Sequence, residues 1–206
     1  MLWRASTPSA FVEPCLPTPS TRVPVGPDWV HEIKHDGYRL IVRRDGKRVR
    51  LFTRRGYDWT YRFAWIVDAV SRFKLQSVMI DGEAVVLDEN GVSDFDKLHS
   101  KGYDDRVVLY AFDLLELNGE DWRPQPLEGR KARLAKILSN NGEGIYLNEH
   151  LVGDGATVFK HACLMGLEGI VSKHRDFPYR SGRTESWIKV KNPKSRAMLR
   201  VQDGTF

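Results

Sequence analysis

The alternation of apolar and polar residues near the start of the chain predicts two strands joined by a turn. Apolar side chains alternate with polar ones from Trp29 to Lys34 and again from Tyr38 to Arg43, and a period of two residues is typical of β-strands. Asp36-Gly37 lies between the two runs, and this dipeptide is a strong turn signal because glycine accepts the positive φ that such turns require. The pattern therefore predicts a hairpin, with Lys34 as the last residue of its first strand.

A second hairpin is predicted immediately afterwards. Arg39–Arg43 forms its first strand, Asp45-Gly46 its turn and Lys47–Thr53 its second strand. Successive side chains of a strand point to opposite faces. In the second strand this alternation places Val49, Leu51 and Thr53 on one face and Arg48, Arg50, Phe52 and Arg54 on the other.

The rest of the chain mixes predicted helices with predicted strands. Apolar residues at helical spacing predict helices at Tyr61–Phe73, Leu127–Leu138 and Gly155–Met165, the last with Asp154 as its N-cap. Residues 77–88 predict two strands around Asp81-Gly82. The near-continuous apolar run Arg106–Asp113 predicts a central strand covered on both faces. Two further strands are predicted at Leu167–Lys173 and Trp187–Lys191.

The first residues of the chain differ from the rest in composition. Prolines are dense between Pro8 and Pro27, and such a segment forms neither helices nor central strands. We therefore expect residues 1–28 to be an extended lead-in packed on a single domain formed by residues 29–200.

Composition places the chain among ordinary globular proteins. It has 206 residues, 41% hydrophobic and 29% charged, with a net charge of +5, which is compatible with a polyanionic partner without requiring one. Cys15 and Cys163 lie far apart in sequence, which favours free thiols in a reducing cytosol. No apolar run approaches the roughly 18 residues of a membrane span, and the N-terminus lacks the apolar stretch of a signal peptide. We expect a cytoplasmic protein with no membrane partner.

Three charged features each allow two interpretations from the residues alone. Lys34, before its turn, is either a solvated edge residue or a group presented at the end of a sheet. The arginine-rich stretch 39–55 is either a solvated strand face or a surface for a phosphate backbone. Glu83, within an apolar run, either turns to water or is buried with a partner or a metal ion.

Six short motifs occur in a fixed order along the chain. They are Lys34-His35-Asp36-Gly37-Tyr38-Arg39, Thr53-Arg54-Arg55-Gly56, Asp81-Gly82-Glu83, Tyr110-Ala111-Phe112-Asp113, Glu168-Gly169-Ile170-Val171-Ser172-Lys173 and Trp187-Ile188-Lys189-Val190-Lys191. In this order they resemble the covalent nucleotidyltransferases: ATP-dependent DNA ligases, RNA ligases and mRNA capping enzymes. The resemblance covers about residues 10 to 200 and is strongest to the ligase domain of bacterial nonhomologous end-joining ligases, including Phe11-Val12-Glu13-Pro14 and Trp29–Arg39.

The resemblance implies a fold and a reaction. The implied fold is α+β, an ATP-grasp-like domain of antiparallel sheets flanked by helices, with the nucleotide in the cleft between the sheets. The implied nucleophile is Lys34, which attacks the α-phosphorus of ATP and expels pyrophosphate to leave lysyl-AMP. AMP then passes to a 5′-phosphate at a DNA nick, and the 3′-hydroxyl displaces it. A lysine attacks only as the neutral amine, and neighbouring cations (Arg39, Lys189, Lys191 and a metal ion) would favour that form.

The resemblance also assigns residues to the nucleotide and to a metal ion. Glu32 and Ile33 correspond to contacts with the adenine edge, Phe112 to the ring that stacks on adenine, and Arg39 and Arg54 to contacts on the ribose and phosphate side. The other implied nucleotide-binding residues are Glu83, Lys173, Lys189 and Lys191. Glu168 and Glu83 are the implied acids for Mg²⁺ or Mn²⁺, which prefers carboxylate and phosphate oxygens.

The implied substrate is nicked duplex DNA, bound by a monomer in the bacterial cytoplasm and associated with the nucleoid. Arginines on and beside the second hairpin are the candidates for its backbone: Arg43, Arg44, Arg48, Arg50 and Arg55.

The sequence departs from the family pattern after the fifth motif. DNA ligases of this type continue into an OB-fold that carries a sixth, basic motif, and the chain ends at Phe206, which leaves no room for such a barrel. We expect either an excised adenylation domain or a minimal protein helped by an OB-fold or end-joining partner. The alternatives are an RNA ligase or capping-type enzyme, and a non-catalytic module that binds nucleotide or nucleic acid.

Overall fold

Eleven strands and five helices make up the part of the chain that the computed structural model describes, residues 11–139 and 142–203. The strands are β1 Cys15–Pro19, β2 Trp29–Ile33, β3 Tyr38–Asp45, β4 Arg48–Thr53, β5 Ser77–Val85, β6 Val108–Leu117, β7 Glu120–Asp121, β8 Ile145–Leu147, β9 His150–Val152, β10 Gly169–His174 and β11 Gly182–Lys191. The helices are α1 Ala64–Ser71, α2 Phe95–His99, α3 Leu127–Leu138, α4 Gly155–Leu164 and α5 Arg196–Asp203.

The strands form two sheets. The five-stranded sheet has the order β1-β11-β10-β2-β9, and the six-stranded sheet has the order β4-β3-β5-β6-β7 with β8 also paired to β6. Neighbouring strands are antiparallel except β1 with β11 and β6 with β8, which are parallel. The predicted α+β class with antiparallel sheets and flanking helices is confirmed, and the two parallel pairs are the departures from it.

The predicted first hairpin is wrong. β2 pairs with β10 and β9 in the five-stranded sheet, whereas β3 pairs with β4 and β5 in the six-stranded sheet. The chain between Ile33 and Tyr38 therefore crosses from one sheet to the other, and Lys34 is the first residue after β2. Gly37 is required for a different reason from the one predicted: its φ is not positive, but a Cβ there would lie 2.2 Å from the Ala84 carbonyl oxygen.

The predicted second hairpin is confirmed. Asp45 pairs with Arg48 at its end, and Gly46 has a φ of +57° in the turn. By contrast, the predicted turn at Asp81-Gly82 is wrong, because β5 runs without interruption through both residues. The pairing of β5 with β6 shifts register between them, so the dipeptide marks an irregularity within a strand.

The lead-in adds one edge strand to the five-stranded sheet. Among the strands of the described residues, β1 pairs only with β11, which agrees with the tolerance of edge strands for proline. Pro8, with the rest of residues 1–10, lies outside the described residues.

Apolar side chains form a layer between the sheets and a layer under each set of helices. The layer between the sheets combines residues of both: Cys15, Ile41, Phe52, Met79, Phe112, Leu115, Tyr179 and Trp187. Helices α1 and α3 cover the other face of the six-stranded sheet, and α4 covers the five-stranded sheet.

The helix predictions differ in accuracy. The predicted helix at Leu127–Leu138 matches α3 at both ends, and the prediction for α4 is one residue too long. The Asp154 carboxylate caps α4 by accepting hydrogen bonds from the backbone N–H groups of Ala156 and Thr157. α1 is shorter than predicted, since it begins at Ala64. None of the described helices is both long and apolar enough to span a membrane.

Candidate active site

A cleft lies where the chain crosses between the sheets, with a volume of about 190 Å³. Nine of the ten residues predicted for catalysis or nucleotide binding line it: Glu32, Ile33, Lys34, Arg39, Arg54, Glu83, Phe112, Lys173 and Lys189. They come from β2, the link after it, β3, β5, β6, β10, β11 and the loop after β4. Residues far apart in sequence therefore meet at one place, between the two sheets.

Lys34 is held by a buried carboxylate. Its backbone N–H donates to the Gly169 carbonyl, and its Nζ lies 2.5 Å from Glu168 Oε2. The other oxygen, Glu168 Oε1, lies 3.1 Å from Lys191 Nζ. Lys191 is the tenth predicted residue, and Glu168 links it to Lys34. Glu168 is only 7% exposed, so its carboxylate has both oxygens on ammonium groups.

Gly169 makes this arrangement possible. Its φ is +141°, and a Cβ there would lie 2.1 Å from the Val190 carbonyl oxygen. Because only glycine allows β10 and β11 to approach this closely, Glu168, just before β10, comes to lie beside Lys191 at the end of β11.

The pKa values of Glu83 and Lys189 are both shifted in this site. Burial raises the pKa of the Glu83 carboxyl to about 7, against the opposing effect of Lys34 and Arg39. Burial also lowers the pKa of the Lys189 ammonium, and the nearby charges of Lys34 and Lys191 lower it further. Both shifts show that charges of both signs are concentrated around Lys34.

Arg39 is fixed by residues that were not predicted as site residues. Its guanidinium donates to both oxygens of Asp81 at 2.7 and 2.6 Å, and also to the Cys15 carbonyl. The Tyr179 hydroxyl donates to the same carboxylate at 2.6 Å. Asp81 is fully buried. Asp81 shares the third motif with Glu83, which is the sequence signal for its role, but the Asp81-Gly82 dipeptide also predicts a turn.

Phe112 lines the cleft beside two cations. The Arg39 guanidinium carbon lies 4.8 Å from the ring centroid and Lys173 Nζ lies 4.4 Å from it. Trp187, which was not predicted as a site residue, packs edge-on against Phe112. Its ring centroid lies 4.0 Å from Lys173 Nζ. A base that reached this ring would meet an aromatic wall with positive charge beside it.

The Glu32 carboxylate is buried between two lysines, of which Lys173 was predicted as a site residue and Lys131 was not. Lys131 Nζ lies 2.7 Å from one oxygen and Lys173 Nζ 2.8 Å from the other. Burial raises the pKa of Glu32, but the two lysines outweigh it and the pKa lies below its usual value. Lys131 lies on α3 and Asn148 precedes β9, and no short motif includes either residue.

His35 also lines the cleft. Its ring stacks on Tyr110 at 4.1 Å between centroids, and its Nδ1 lies 3.1 Å from the Ser93 hydroxyl. Burial lowers its pKa to about 4. His35 is therefore a neutral, packed side chain beside Lys34 at neutral pH.

Two carboxylates near Lys34 are suited to a magnesium ion. In the part of the chain described here, no three His, Cys, Asp or Glu side chains gather closely enough to hold a metal by themselves. Mg²⁺ needs only one or two protein carboxylates when substrate phosphates and water supply its other oxygens. Glu168 touches Lys34, and Glu83 lies close enough for the charge of Lys34 to affect its pKa. This donor set fits such an ion.

The five arginines predicted for DNA do not form one surface. Arg43, Arg48 and Arg50 surround a shallow depression on the β3–β4 hairpin, where Arg43 pairs with Arg50 across the strands. Arg55 lies apart, with Arg54, in a wide groove that opens from the cleft. Arg44 is bound to the backbone instead, because its guanidinium donates hydrogen bonds to the carbonyls of Gly46 and Phe73.

Comparison with known proteins finds similar sequences over most of the chain. A family model described as the ATP dependent DNA ligase domain matches residues 20–191. The chain is 40% identical over 168 residues to the multifunctional non-homologous end joining protein LigD of Pseudomonas aeruginosa, covering 80% of this chain and 20% of that protein. The chain therefore spans about a fifth of the length of this curated relative.

Two solved structures resemble the fold over most of the chain. The ligase domain of Mycobacterium tuberculosis LigD matches with a TM-score of 0.76 and 36% identity, covering 86% of this chain and 60% of that one. A mycobacterial DNA ligase D complexed with ATP and MES matches with a TM-score of 0.74 and 34% identity, covering 86% and 59%.

Proposed function

Because the chain belongs to the ATP-dependent DNA ligase domain family, we propose that it adenylates itself at Lys34 and passes the AMP to nicked DNA. The observation that carries the proposal is the position of Lys34: its Nζ lies at the wall of the cleft, in contact with the buried Glu168 carboxylate and with Lys189 and Lys191 nearby. The ATP in the solved structure of a mycobacterial relative supports the choice of nucleotide.

The first step uses groups already in place. The Lys34 amine forms a bond to the α-phosphorus of ATP while the bond from that phosphorus to the bridging oxygen of pyrophosphate breaks, and pyrophosphate leaves with the electron pair. Glu168 Oε2, at 2.5 Å, is the nearest acceptor for the proton that Lys34 must lose. Lys189 and Lys191 are the cations that would stabilise the developing charge on the phosphate oxygens.

A magnesium or manganese ion would complete the phosphate site. Glu83 and Glu168 are the residues that would hold it, and the ion would neutralise phosphate oxygens and hold them in place. The remaining nucleotide contacts follow the motifs: Glu32 and Ile33 at the base edge, Phe112 against its face, Arg39 and Arg54 on the sugar and phosphate side, and Lys173 beside Phe112.

The later steps require DNA. The 5′-phosphate of a nick attacks the lysyl-AMP phosphorus and releases Lys34, and the 3′-hydroxyl then displaces AMP and seals the strand. Arg43, Arg48, Arg50 and Arg55 are proposed to hold the duplex backbone, and Arg44 is left out because its guanidinium bonds to backbone carbonyls. The end-joining relative is bacterial, which supports a role in bacterial DNA repair, in the cytoplasm and near the nucleoid, with an OB-fold or end-joining protein as the proposed partner.

The acceptor step is tested with protein charged beforehand by ATP and Mg²⁺ and then freed of nucleotide. A duplex with one nick, labelled at its 5′-phosphate, should gain AMP and then be sealed, while the same duplex without the 5′-phosphate should leave the protein charged. Transfer to a nick in RNA but not in DNA would favour the RNA ligase, and charging by GTP alone would favour the capping enzyme. Binding of nucleotide without any adduct would favour the non-catalytic module.

A further inference from the structure

Four polar side chains from different parts of the chain meet in the wall of the cleft. Glu32, Lys131, Lys173 and Asn148 are 1%, 3%, 1% and 6% exposed. Charges removed from water to this degree are costly unless each has a partner at close range. Their arrangement therefore has to be ordered.

The contacts among them fix both oxygens of Glu32. Lys131 Nζ lies 2.7 Å from Oε1 and also donates to the Asn148 carbonyl at 2.8 Å. The Asn148 side-chain amide donates to Glu32 Oε2 at 3.3 Å and to the Ile33 carbonyl at 3.2 Å. One amide group therefore holds the Glu32 carboxylate and the Ile33 carbonyl side by side.

Both groups belong to residues that line the cleft, and both are hydrogen-bond acceptors. Glu32, Ile33 and Asn148 line the cleft, whereas Lys131 does not and lines a small depression on the other side of the same wall. An ionised carboxylate and a backbone carbonyl can only accept. Adenine carries a donor amine at position 6 and guanine carries an acceptor oxygen there, so this edge matches adenine and leaves guanine with an unpaired oxygen.

We propose that Lys131 and Asn148 are positioning residues that set the preference of the cleft for adenine over guanine. The inference rests on the proposed function for the place of the base beside Glu32 and Ile33. Lys131 acts from outside the cleft: its ammonium keeps the Glu32 carboxylate ionised and turned towards the base. Asn148 fixes the spacing of the two acceptors.

Equilibrium binding of AMP and GMP is the test, because neither nucleotide can form the lysyl adduct. A wild-type protein that fails to charge with ATP overturns the proposed function, while the binding preference is still measurable. We expect wild type to bind AMP more tightly than GMP, and Lys131→Met to weaken AMP about tenfold, close to one lost hydrogen bond to a charged group, with GMP little changed. Lys136→Met, an exposed lysine on the same helix, should leave both affinities unchanged.

Purine riboside monophosphate, which lacks the amine, separates positioning from a merely structural role. Lys131→Met should weaken AMP but not this analogue, and Lys131→Arg should restore part of the loss, whereas a disordered cleft would weaken all three nucleotides alike. Asn148→Ala leaves the pairs of Glu32 with Lys131 and Lys173 in place, so it carries the same test if Lys131→Met does not fold. An unchanged AMP to GMP ratio in the folded variants, or no preference in wild type, would overturn the inference.

Discussion

At the scale of single residues, Glu168 connects the fold to the chemistry. Its buried carboxylate lies 2.5 Å from Lys34 Nζ and 3.1 Å from Lys191 Nζ. In the folded protein it orients the Lys34 ammonium, and in the proposed reaction it is the nearest proton acceptor. A neutral side chain of the same shape would keep the packing and lose both effects.

Glu168→Gln should therefore fold but charge slowly. We expect lysyl-AMP formation in a single turnover to fall about 100-fold, the lower end of what a positioned proton acceptor contributes. Glu149→Gln removes an exposed carboxylate and should charge at the wild-type rate. A Glu168→Gln protein that charges as fast as wild type would refute the role given to this residue.

At the scale of elements, the link between β2 and β3 determines where Lys34 lies. The link passes from one sheet to the other, and Gly37 comes so close to β5 that a Cβ would lie 2.2 Å from the Ala84 carbonyl oxygen and 2.8 Å from Val85 Cγ1. Neither neighbour can move without disturbing the strand. The position of Lys34 is therefore tied to the packing of the six-stranded sheet.

Gly37→Ala should lower both stability and activity. Overpacking of this kind costs about 1–3 kcal/mol, so the free energy of unfolding in urea should fall by that amount and charging with ATP should slow. Gly129, on α3, has open space around it, and Gly129→Ala should instead stabilise the protein by about 0.5–1 kcal/mol. If Gly37→Ala unfolds at the same urea concentration as wild type, the link does not hold Lys34 in this way.

Sequence patterns predicted three of the five described α-helices, α1, α3 and α4, and most of the cleft, but missed several partners of its charges. Short motifs carry their own chemistry, and nine of the ten residues chosen from them line one cleft. Two predictions based on an Asp-Gly dipeptide are wrong. The dipeptide indicates only a local change of direction, whereas strand pairing is decided by distant segments such as β10. Asp81 and Lys131 were missed because their partners, Arg39 and Glu32, lie 42 and 99 residues away.

At the scale of the whole molecule, the arginines proposed to hold DNA lie on two separate surfaces. One is the depression around Arg43, Arg48 and Arg50 on the β3–β4 hairpin, and the other is the groove with Arg54 and Arg55 that opens from the cleft. The chain carries a net charge of only +5, so binding to DNA would depend on these local surfaces. A duplex held by both would contact the protein on either side of β4.

Salt dependence measures these contacts. The slope of the logarithm of DNA affinity against the logarithm of salt concentration should become shallower by about 0.9 for each phosphate contact removed. Arg48→Ala and Arg55→Ala together should therefore reduce the slope by about 1.8, whereas Arg133→Ala on the exposed side of α3 should not change it. Equal slopes for all three proteins would place the DNA elsewhere on the molecule.

The central claim, that Lys34 is the nucleophile, is tested most directly by the intact mass of the protein after incubation with ATP and Mg²⁺. Protein first freed of bound nucleotide should gain one AMP, Lys34→Ala should gain none, and Lys160→Ala, which removes an exposed lysine of α4, should gain one as wild type does. An adduct that persists in folded Lys34→Ala, or no adduct on wild type, would contradict the assignment of Lys34.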